Sequence, residues 1–483
     1  MSYVIAVDQG TTSTRSVLFD FNLNTIDSIQ IEYDLEFPND GWVEIDPKTL
    51  MDSINQTLKP LVDKYGNKIK SIGITNQRES TVLWDKSSGE PVYPIIVWQD
   101  RRTIDKCRQL SEEGHERTIQ EKTGLLIDPY FSATKIAWIL DNVSGVRTRA
   151  EKGDILFGTI DTYVLWQITG GSHLTDVTNA SRSMLFNINN LSWDEDLLKL
   201  FSIPRSILPE VQESTSLFGY TSDRNIPIYG MIGDQQGALV GQQCFEKESM
   251  KATFGTGCFL MVNTGKEIIY SSDKLLSTIG FQINNELNYA LEGSIFSAGT
   301  IIKWLRDGLK LFNDASESER HINKQWDSNN VLFIPAFNGL GVPYWNPRIK
   351  ASFYGISQNT TNNDLITAAF KSIAYQLLQI LEILKKEGFT INALSIDGGM
   401  TANTKFCQML ADILSLTIIL PDNKESTAVG AASIALLGAG IKQDIESLTQ
   451  IKDQAMIFSP KLALNQEEYD QWKNLTDLLN KNY

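Results

Sequence analysis

The sequence predicts an α/β protein made of two domains of similar architecture that face one another. Short β-branched strands alternate with segments of helical spacing, which is typical of α/β folds. The opening strand–turn–strand pattern, VIAVDQGTTSTRSVLFD, returns in the second half as KATFGTGCFLMVNT. At 483 residues the chain is also longer than a single hydrophobic core usually organises. These observations together favour two related domains.

The first half begins with a hairpin and continues with strands and helices in alternation. Gly10 interrupts the first apolar run, and Asp46-Pro47 has the pattern of an N-cap followed by proline at the first helical position. Strands are predicted at residues 3–8, 16–20, 69–75 and 93–98. This alternation predicts a mostly parallel sheet, and ligands of such sheets bind at the carboxyl ends of the strands.

The second half repeats the opening hairpin at residues 251–264 and adds a long helix. That helix is predicted at about 364–386, with one apolar face and Gly388 at its end. Residues 394–403 have the pattern of a strand that leads into a glycine turn and a helix. We predict an N-terminal domain over residues 1–243, a C-terminal domain over 244–445, and a peripheral tail over 446–483.

Composition excludes several classes of function. The formal net charge of −15, without a long basic run, argues against nucleic acid or a membrane surface as the main partner. The four cysteines never form a C-x-x-C pair, and three histidines make a histidine-based metal site improbable. The start of the chain lacks the pattern of a signal peptide, and no apolar run reaches about 20 residues. We therefore expect a soluble, cytoplasmic protein without stable membrane insertion.

The turn between the first two strands has the composition of a phosphate-binding loop. It lacks the pattern of a P-loop, yet its backbone N–H groups, hydroxyls and cation can surround phosphate oxygens. Asp8 at the strand end can hold Mg²⁺ through water. The donors are supplied by Thr11, Thr12, Ser13 and Arg15. A solvated hairpin turn is the alternative interpretation, and the second turn, Gly255-Thr256-Gly257, weighs against it.

Charged and aromatic residues follow several of the predicted strands. Arg78 and Glu79 together can bind adjacent hydroxyls, because one donates and the other accepts hydrogen bonds. A surface ion pair is the alternative for them, and ordinary core packing is the alternative for Trp98 and Tyr130. Asp234, before a helix of small residues, is either an N-cap or a carboxylate that accepts a proton during catalysis.

Six segments in order resemble the FGGY family of carbohydrate kinases, over roughly residues 4–440. They are DQGTTSTR (8–15), TNQRE (75–79), WQDRR (98–102), GDQQGA (233–238), FGTGCF (254–259) and DGGMTAN (397–403). The resemblance implies that both domains have an actin-like, RNase H-like ATPase fold and flank an interdomain cleft. It further implies that ATP lies in this cleft and that a polyol binds deeper, on the N-terminal domain.

The resemblance also implies roles for individual residues. Asp234 is the expected general base in Mg²⁺-ATP-dependent phosphorylation of glycerol to sn-glycerol 3-phosphate, and Asp8 and Asp234 are the expected carboxylates at the metal. The expected polyol contacts are Arg78, Glu79, Trp98, Tyr130, Asp234, Gln235 and Phe259. The expected ATP contacts are Thr11, Thr12, Ser13, Arg15, Thr256, Gly299, Lys303, Gly399 and Asn403. A homodimer or homotetramer is expected.

Some positions depart from the family pattern. Lys303 stands where the family commonly has glutamine, Lys371 replaces an expected acidic residue, and Ile45 replaces a histidine. Residues 213–227 lack the loop that resembles a fructose-1,6-bisphosphate site in some relatives and the histidine that others phosphorylate. A kinase for another polyol or ketosugar is the alternative enzyme. A non-catalytic actin-like nucleotide-binding module is the alternative outside enzymes, but it would have no need for Arg78, Glu79, Tyr130 and Asp234 together.

Overall fold

The first half of the chain forms one large sheet with helices on its faces. The computed structural model describes residues 2–423, 425–449 and 455–482. In chain order the elements of this half are β1 (Tyr3–Gln9), β2 (Ser13–Asp20), β3 (Thr25–Glu32), β4 (Glu44–Ile45), α1 (Pro47–Tyr65), β5 (Ile69–Asn76), β6 (Val82–Asp85), β7 (Ile95–Ile96), α2 (Ile104–Glu112), α3 (Glu116–Thr123), α4 (Ser132–Asn142), α5 (Val146–Glu151), β8 (Ile155–Gly158), α6 (Ile160–Thr169), β9 (Leu174–Asp176), α7 (Val177–Ala180), β10 (Phe186–Asn187), β11 (Ser192–Trp193), α8 (Glu195–Phe201), β12 (Glu210–Gln212), β13 (Gly219–Tyr220), β14 (Pro227–Gly233) and α9 (Asp234–Gly241).

The second half forms another large sheet and carries the longest helix described. Its elements are β15 (Met250–Phe254), β16 (Cys258–Gly265), β17 (Leu276–Ile283), β18 (Glu286–Ile295), α10 (Gly299–Asp307), α11 (Ser318–His321), β19 (Leu332–Ile334), β20 (Ser352–Tyr354), α12 (Asn362–Lys386), β21 (Ala393–Asp397), α13 (Thr404–Leu414), β22 (Thr417–Pro421), α14 (Ser426–Gly438), α15 (Ile445–Thr449), β23 (Ala455–Phe458) and α16 (Gln466–Asn482). Short 3₁₀ turns lie at Gly66–Lys68, Arg205–Ile207, Ala315–Glu317, Lys324–Trp326 and Gly399–Ala402.

Both large sheets are mixed, so the prediction of mostly parallel sheets is wrong. The first has the order β13-β14-β5-β1-β2-β3, in which β1 pairs parallel with β5 and antiparallel with β2. The second has the order β17-β18-β16-β15-β21-β22-β23, in which β15 pairs parallel with β21 and antiparallel with β16. The tight turns after β1 and β15 reverse the chain, and strands joined in this way must pair antiparallel.

Local signals in the sequence place most of the elements near the functional cleft. The predicted hairpins are β1–β2 and β15–β16, and Asp46 caps α1 by accepting from the N–H groups of Lys48 and Thr49. The predicted long helix is α12, which starts with a capping box at Thr361. The predicted strand at 93–98 is largely wrong, because only Ile95–Ile96 is a strand and it pairs with β4.

The last part of the chain is packed into the second half, although the sequence predicts a peripheral tail over 446–483. Strand β23 extends the second large sheet, and Tyr469 and Trp472 of α16 are buried against α12. Lys371 of α12 forms an ion pair with Glu468 of α16. This pair gives Lys371 a structural explanation: it is a buried cation whose partner comes from the C-terminal helix.

Helix α14 returns from the second half and packs on the first large sheet. Its residues share a core with β1, β2, β14 and α9, while β16, β17 and β18 border the same core. At the crossing of α14 with α9 the backbones are in direct contact, because a Cβ on Gly430 would lie 1.9 Å from the carbonyl oxygen of Gly237. The two halves are thus joined by a pair of glycine-containing helices. In the described part of the chain, no helix has the length and apolarity needed to cross a membrane.

The close helix crossing predicts that Gly430→Ala destabilises the fold. The added methyl group would overlap the Gly237 carbonyl, so we expect the free energy of unfolding to fall by about 2–4 kcal/mol, although alanine favours the helix. Urea unfolding followed by circular dichroism measures the change. Gly399→Ala is the control, because a Cβ at Gly399 would meet no atom within 4 Å. Equal unfolding midpoints for the wild type and Gly430→Ala would contradict the described crossing.

Candidate active site

A small polar cavity lies between the two halves, at the ends of the central strands. Its volume is about 140 Å³. It is bordered by Thr11 of the first turn, by the second turn at Thr256, and by all seven residues predicted to contact a polyol: Arg78, Glu79, Trp98, Tyr130, Asp234, Gln235 and Phe259. Residues far apart in the sequence therefore meet as the sequence analysis predicts.

Arg78 and Glu79 follow β5 and are each only 2 % exposed, so the surface ion pair is excluded. Arg78 Nη1 donates to Gln236 Oε1 at 3.2 Å and to Glu292 Oε2 at 2.6 Å. Its Nη2 donates to the Tyr130 hydroxyl at 3.2 Å and to Glu292 Oε1 at 3.2 Å. Its Nε lies 3.2 Å from Asp234 Oδ1. The two terminal nitrogens of the guanidinium are thus held by protein groups, and Nε faces Asp234.

A second arginine completes a ring of buried charges. Arg182 Nε donates to Glu79 Oε1 at 2.7 Å, and Arg182 Nη2 donates to Glu292 Oε1 at 2.9 Å. Arg182 and Glu292 are both fully buried. The sequence analysis does not identify either residue. A signal was present, since Glu292 is a charged residue inside the apolar strand segment YALEGSI.

Asp234 is the first residue of α9, and the N-cap position belongs to Gly233. The carboxylate accepts from the Gln235 N–H at 2.7 Å. Its side chain is 27 % exposed, toward the cavity. Burial raises the pKa of Asp234, with Arg78 acting against the shift and Glu79 adding to it. The result is a carboxylate that is more basic than an exposed one and is accessible to a ligand.

Gln235 and the aromatic residues define the remaining walls of the cavity. Lys251, fully buried in β15, donates from Nζ to Gln235 Oε1 at 2.6 Å, which leaves the Gln235 amide nitrogen as a donor. Trp98 Nε1 donates to Thr11 Oγ1 at 2.9 Å. The Trp98 ring contacts Tyr130 and Phe259 edge to face, at centroid distances of 5.5 and 6.0 Å. These rings provide an apolar wall opposite the charged groups.

A larger cleft of about 1020 Å³ adjoins the cavity. Thr11 and Thr256 border both spaces. The cleft brings together seven of the residues predicted to contact ATP: Thr11, Thr12, Thr256, Gly299, Lys303, Gly399 and Asn403. Its size is within the range of nucleotide and cofactor sites. Lys303 thus contributes a cation to the wall of the cleft.

Three predicted residues, Asp8, Ser13 and Arg15, line neither space. Arg15 Nε donates to Gln30 Oε1 at 3.1 Å, and Nη1 forms an ion pair with Glu425 of the second half. Asp8 lies in β1, directly opposite Arg15 in β2. Glu425 lies far from Arg15 in the sequence, so the sequence alone could not predict this ion pair.

Asp8 has the features of a carboxylate that can hold a divalent cation. Burial and then the charges of Asp234 and Glu425 raise the pKa of Asp8 to about 7, with Arg15 acting against them. Local negative charge is therefore in excess. In residues 2–423, 425–449 and 455–482, no group of three or more acidic, histidine or cysteine side chains could hold a metal.

Comparison with known protein families shows to which family this chain belongs. Residues 3–241 match the N-terminal domain of the FGGY family of carbohydrate kinases, and residues 250–439 match its C-terminal domain. The chain belongs to the FGGY family of carbohydrate kinases. The predicted family is thus confirmed, while the exact domain limits and the roles of single residues stay predictions.

The similarity to individual proteins covers almost the whole chain. A glycerol kinase of Alteromonas mediterranea is 48 % identical over 484 residues, which cover 98 % of both chains. Glycerol kinase 1 of Pseudomonas aeruginosa is 45 % identical over 482 residues, again with 98 % of both chains covered. Among solved structures, glycerol kinase of Plasmodium falciparum with ADP is similar at a TM-score of 0.91 and 35 % identity, covering 100 % of this chain and 98 % of that one.

A less similar solved structure shares the fold. A ligand-bound xylulose kinase of Lactobacillus acidophilus has a TM-score of 0.86 at 22 % identity, with 99 % of this chain and 97 % of that chain covered. This likeness concerns the arrangement of the two halves. The predicted two-domain, actin-like fold is confirmed.

Proposed function

We propose that this chain is a glycerol kinase, which transfers the γ-phosphoryl group of ATP to a terminal hydroxyl of glycerol. The observation that carries the proposal is the small cavity lined by Arg78, Glu79 and Asp234, next to a nucleotide-sized cleft. The full-length similarity to proteins named glycerol kinase supports the same substrate.

The cavity suits a short polyol in size and in chemistry. Glu79 and Asp234 can accept hydrogen bonds from hydroxyl groups, and the Gln235 amide can donate one. The rings of Trp98 and Phe259 can cover the carbon chain. The full-length similarity to proteins named glycerol kinase favours glycerol over a pentulose or hexose. A kinase for such a sugar is the alternative, and comparison of ATP consumption with glycerol, xylulose and gluconate distinguishes them.

In the proposed reaction, Asp234 takes the proton from the terminal hydroxyl as its oxygen attacks the γ-phosphorus. The new P–O bond forms while the bond to the ADP oxygen breaks, and ADP leaves with that electron pair. The raised pKa of Asp234 makes the carboxylate a better proton acceptor. Thr11 and Thr256, which border both spaces, are placed to donate hydrogen bonds to the transferred group.

Mg²⁺ fits the charges around the proposed phosphate site. Asp8 and Asp234 would hold it together with ATP oxygens. Burial, and after it the charges of Asp234 and Glu425, raise the pKa of Asp8 to about 7, so a bound cation would stabilise the ionised form of Asp8. When bound, the ion neutralises phosphate charge and polarises the transferred group. The protein's own residues orient the hydroxyl and accept its proton.

The proposal also includes the compartment of the enzyme and its number of subunits. We propose a cytoplasmic homodimer or homotetramer. Cys107, Cys244 and Cys258 are buried and form no disulfide, which suits a reducing compartment. Light scattering after size-exclusion chromatography measures the number of subunits.

The proposed base predicts that Asp234→Asn loses most of its activity. Asparagine keeps the size but removes the basic oxygen, so kcat is expected to fall about 10²–10⁴-fold while ATP affinity changes little. Steady-state kinetics with glycerol and calorimetry with ATP measure both quantities. Asp46→Asn is the matched control, because Asp46 caps α1 away from the cavity and asparagine caps equally well. Retention of more than about a tenth of wild-type kcat would exclude Asp234 as the base.

The second turn predicts that Thr256→Val weakens ATP binding. Valine keeps the shape but removes the hydroxyl donor, so ATP affinity is expected to fall about 5- to 20-fold with glycerol affinity retained. Calorimetry with a non-hydrolysable ATP analogue measures the change. Thr264→Val is the control, since Thr264 lies at the other end of β16 and donates to the Glu267 carbonyl. Unchanged nucleotide affinity in Thr256→Val would remove Thr256 from the phosphate site.

A further inference from the structure

We propose that Glu292 and Arg182 are positioning residues that orient Arg78 and Glu79 for the polyol, so that the substrate site is complete only when the two halves are docked. This inference rests on the proposed polyol kinase function and deepens it. Neither residue lines the cavity, so each would act through another side chain.

Glu292 sets the orientation of Arg78. Its two carboxylate oxygens accept from both terminal nitrogens of the guanidinium, at 2.6 and 3.2 Å. This two-point contact fixes the plane of the guanidinium as well as its position. Nε, on the opposite edge, lies 3.2 Å from Asp234 Oδ1, the proposed base. Without Glu292 the guanidinium could rotate away from Asp234 and from the cavity.

Arg182 sets the orientation of Glu79 in the same way. It donates to Glu79 Oε1 and thereby leaves the other carboxylate oxygen of Glu79 for a ligand. Its Nη2 donates to Glu292, and Arg78 Nε lies 3.6 Å from Glu79 Oε1, which closes the ring Arg78–Glu292–Arg182–Glu79. Two positive and two negative charges balance within this ring. All four side chains are at most 2 % exposed, so the removal of one charge leaves its partner buried without compensation.

The ring joins the two halves. Arg78, Glu79 and Arg182 belong to the first half, whereas Glu292 lies in β18 of the second. Burial raises the pKa of Glu292, but Arg182 and Arg78 outweigh this effect and lower it to about 2. The second half therefore presents a permanently ionised carboxylate to the two arginines of the first. A shift of β18 relative to β5 would change the geometry at the proposed substrate.

The experiment compares Glu292→Gln, Arg182→Gln and the double variant with the wild type. Glu292→Gln keeps the shape but loses the charge that holds Arg78. We expect the KM for glycerol to rise about 10- to 100-fold, with the KM for ATP within about twofold of wild type. The unfolding midpoint of each single variant falls, because a buried charge loses its partner.

The double variant separates positioning from stability. Removing one charge of each sign restores the balance, so the unfolding midpoint is expected to recover toward wild type while the glycerol KM stays high. Glu468→Gln is the matched control, since it breaks the buried pair with Lys371, and neither residue borders the cavity or the cleft. It is expected to lower the midpoint without changing the glycerol KM.

The outcomes are distinct. A glycerol KM within about twofold of wild type in Glu292→Gln, or recovery of the KM together with the midpoint in the double variant, would overturn the inference. If Glu292→Gln does not fold, the double variant alone decides in the same way. Calorimetric titration of glycerol into the same proteins gives a second readout, with the same loss expected in binding. A wild type that neither binds nor phosphorylates glycerol would instead refute the proposed function.

Discussion

The arrangement of the proposed substrate site depends on the need to neutralise a buried guanidinium. Arg78 is only 2 % exposed, and an isolated charge in such surroundings is strongly unfavourable. Its partners come from both halves, with Asp234 on one edge and Glu292 on the other. This requirement explains why residues from β5, α9 and β18 meet at one point. It also couples the relative position of the two sheets to the charges that face the cavity.

The two turns apply one structural solution twice. Each joins antiparallel strands at the edge of the cleft, and Thr11 and Thr256 stand on the border between the small cavity and the larger cleft. In the proposed reaction, a hydrogen-bond donor at that border can contact the phosphoryl group that passes from ATP to the polyol. The repeat visible in the sequence therefore places one turn from each half at the border of the two spaces.

Much of the fold and the cavity could be predicted, because the relevant signals are local. The β1–β2 hairpin, the cap at Asp46 and helix α12 follow from short-range patterns, and the residues predicted to contact a polyol lie together at the small cavity. What was missed depends on distant partners. Glu292 binds both Arg78 and Arg182 across the fold, and Arg182 also binds Glu79. The ion pair of Arg15 with Glu425 joins the two halves. The packing of α16 was missed because buried Tyr469 and Trp472 are flanked by charged residues.

The return of α14 to the first sheet affects how this protein can be made. Gly73 of β5 and Gly230 of β14 leave space for the backbone of α14 at Ala431 and Ala435, so this helix covers the face of a sheet formed by the first half of the chain. During synthesis, that apolar face stays uncovered until residues 426–438 have left the ribosome. An N-terminal fragment that ends after α9 would therefore expose the same face to solvent and would be prone to associate. The nascent chain thus reaches its final structure late in translation, and a chaperone that shields the first sheet would protect it in the meantime.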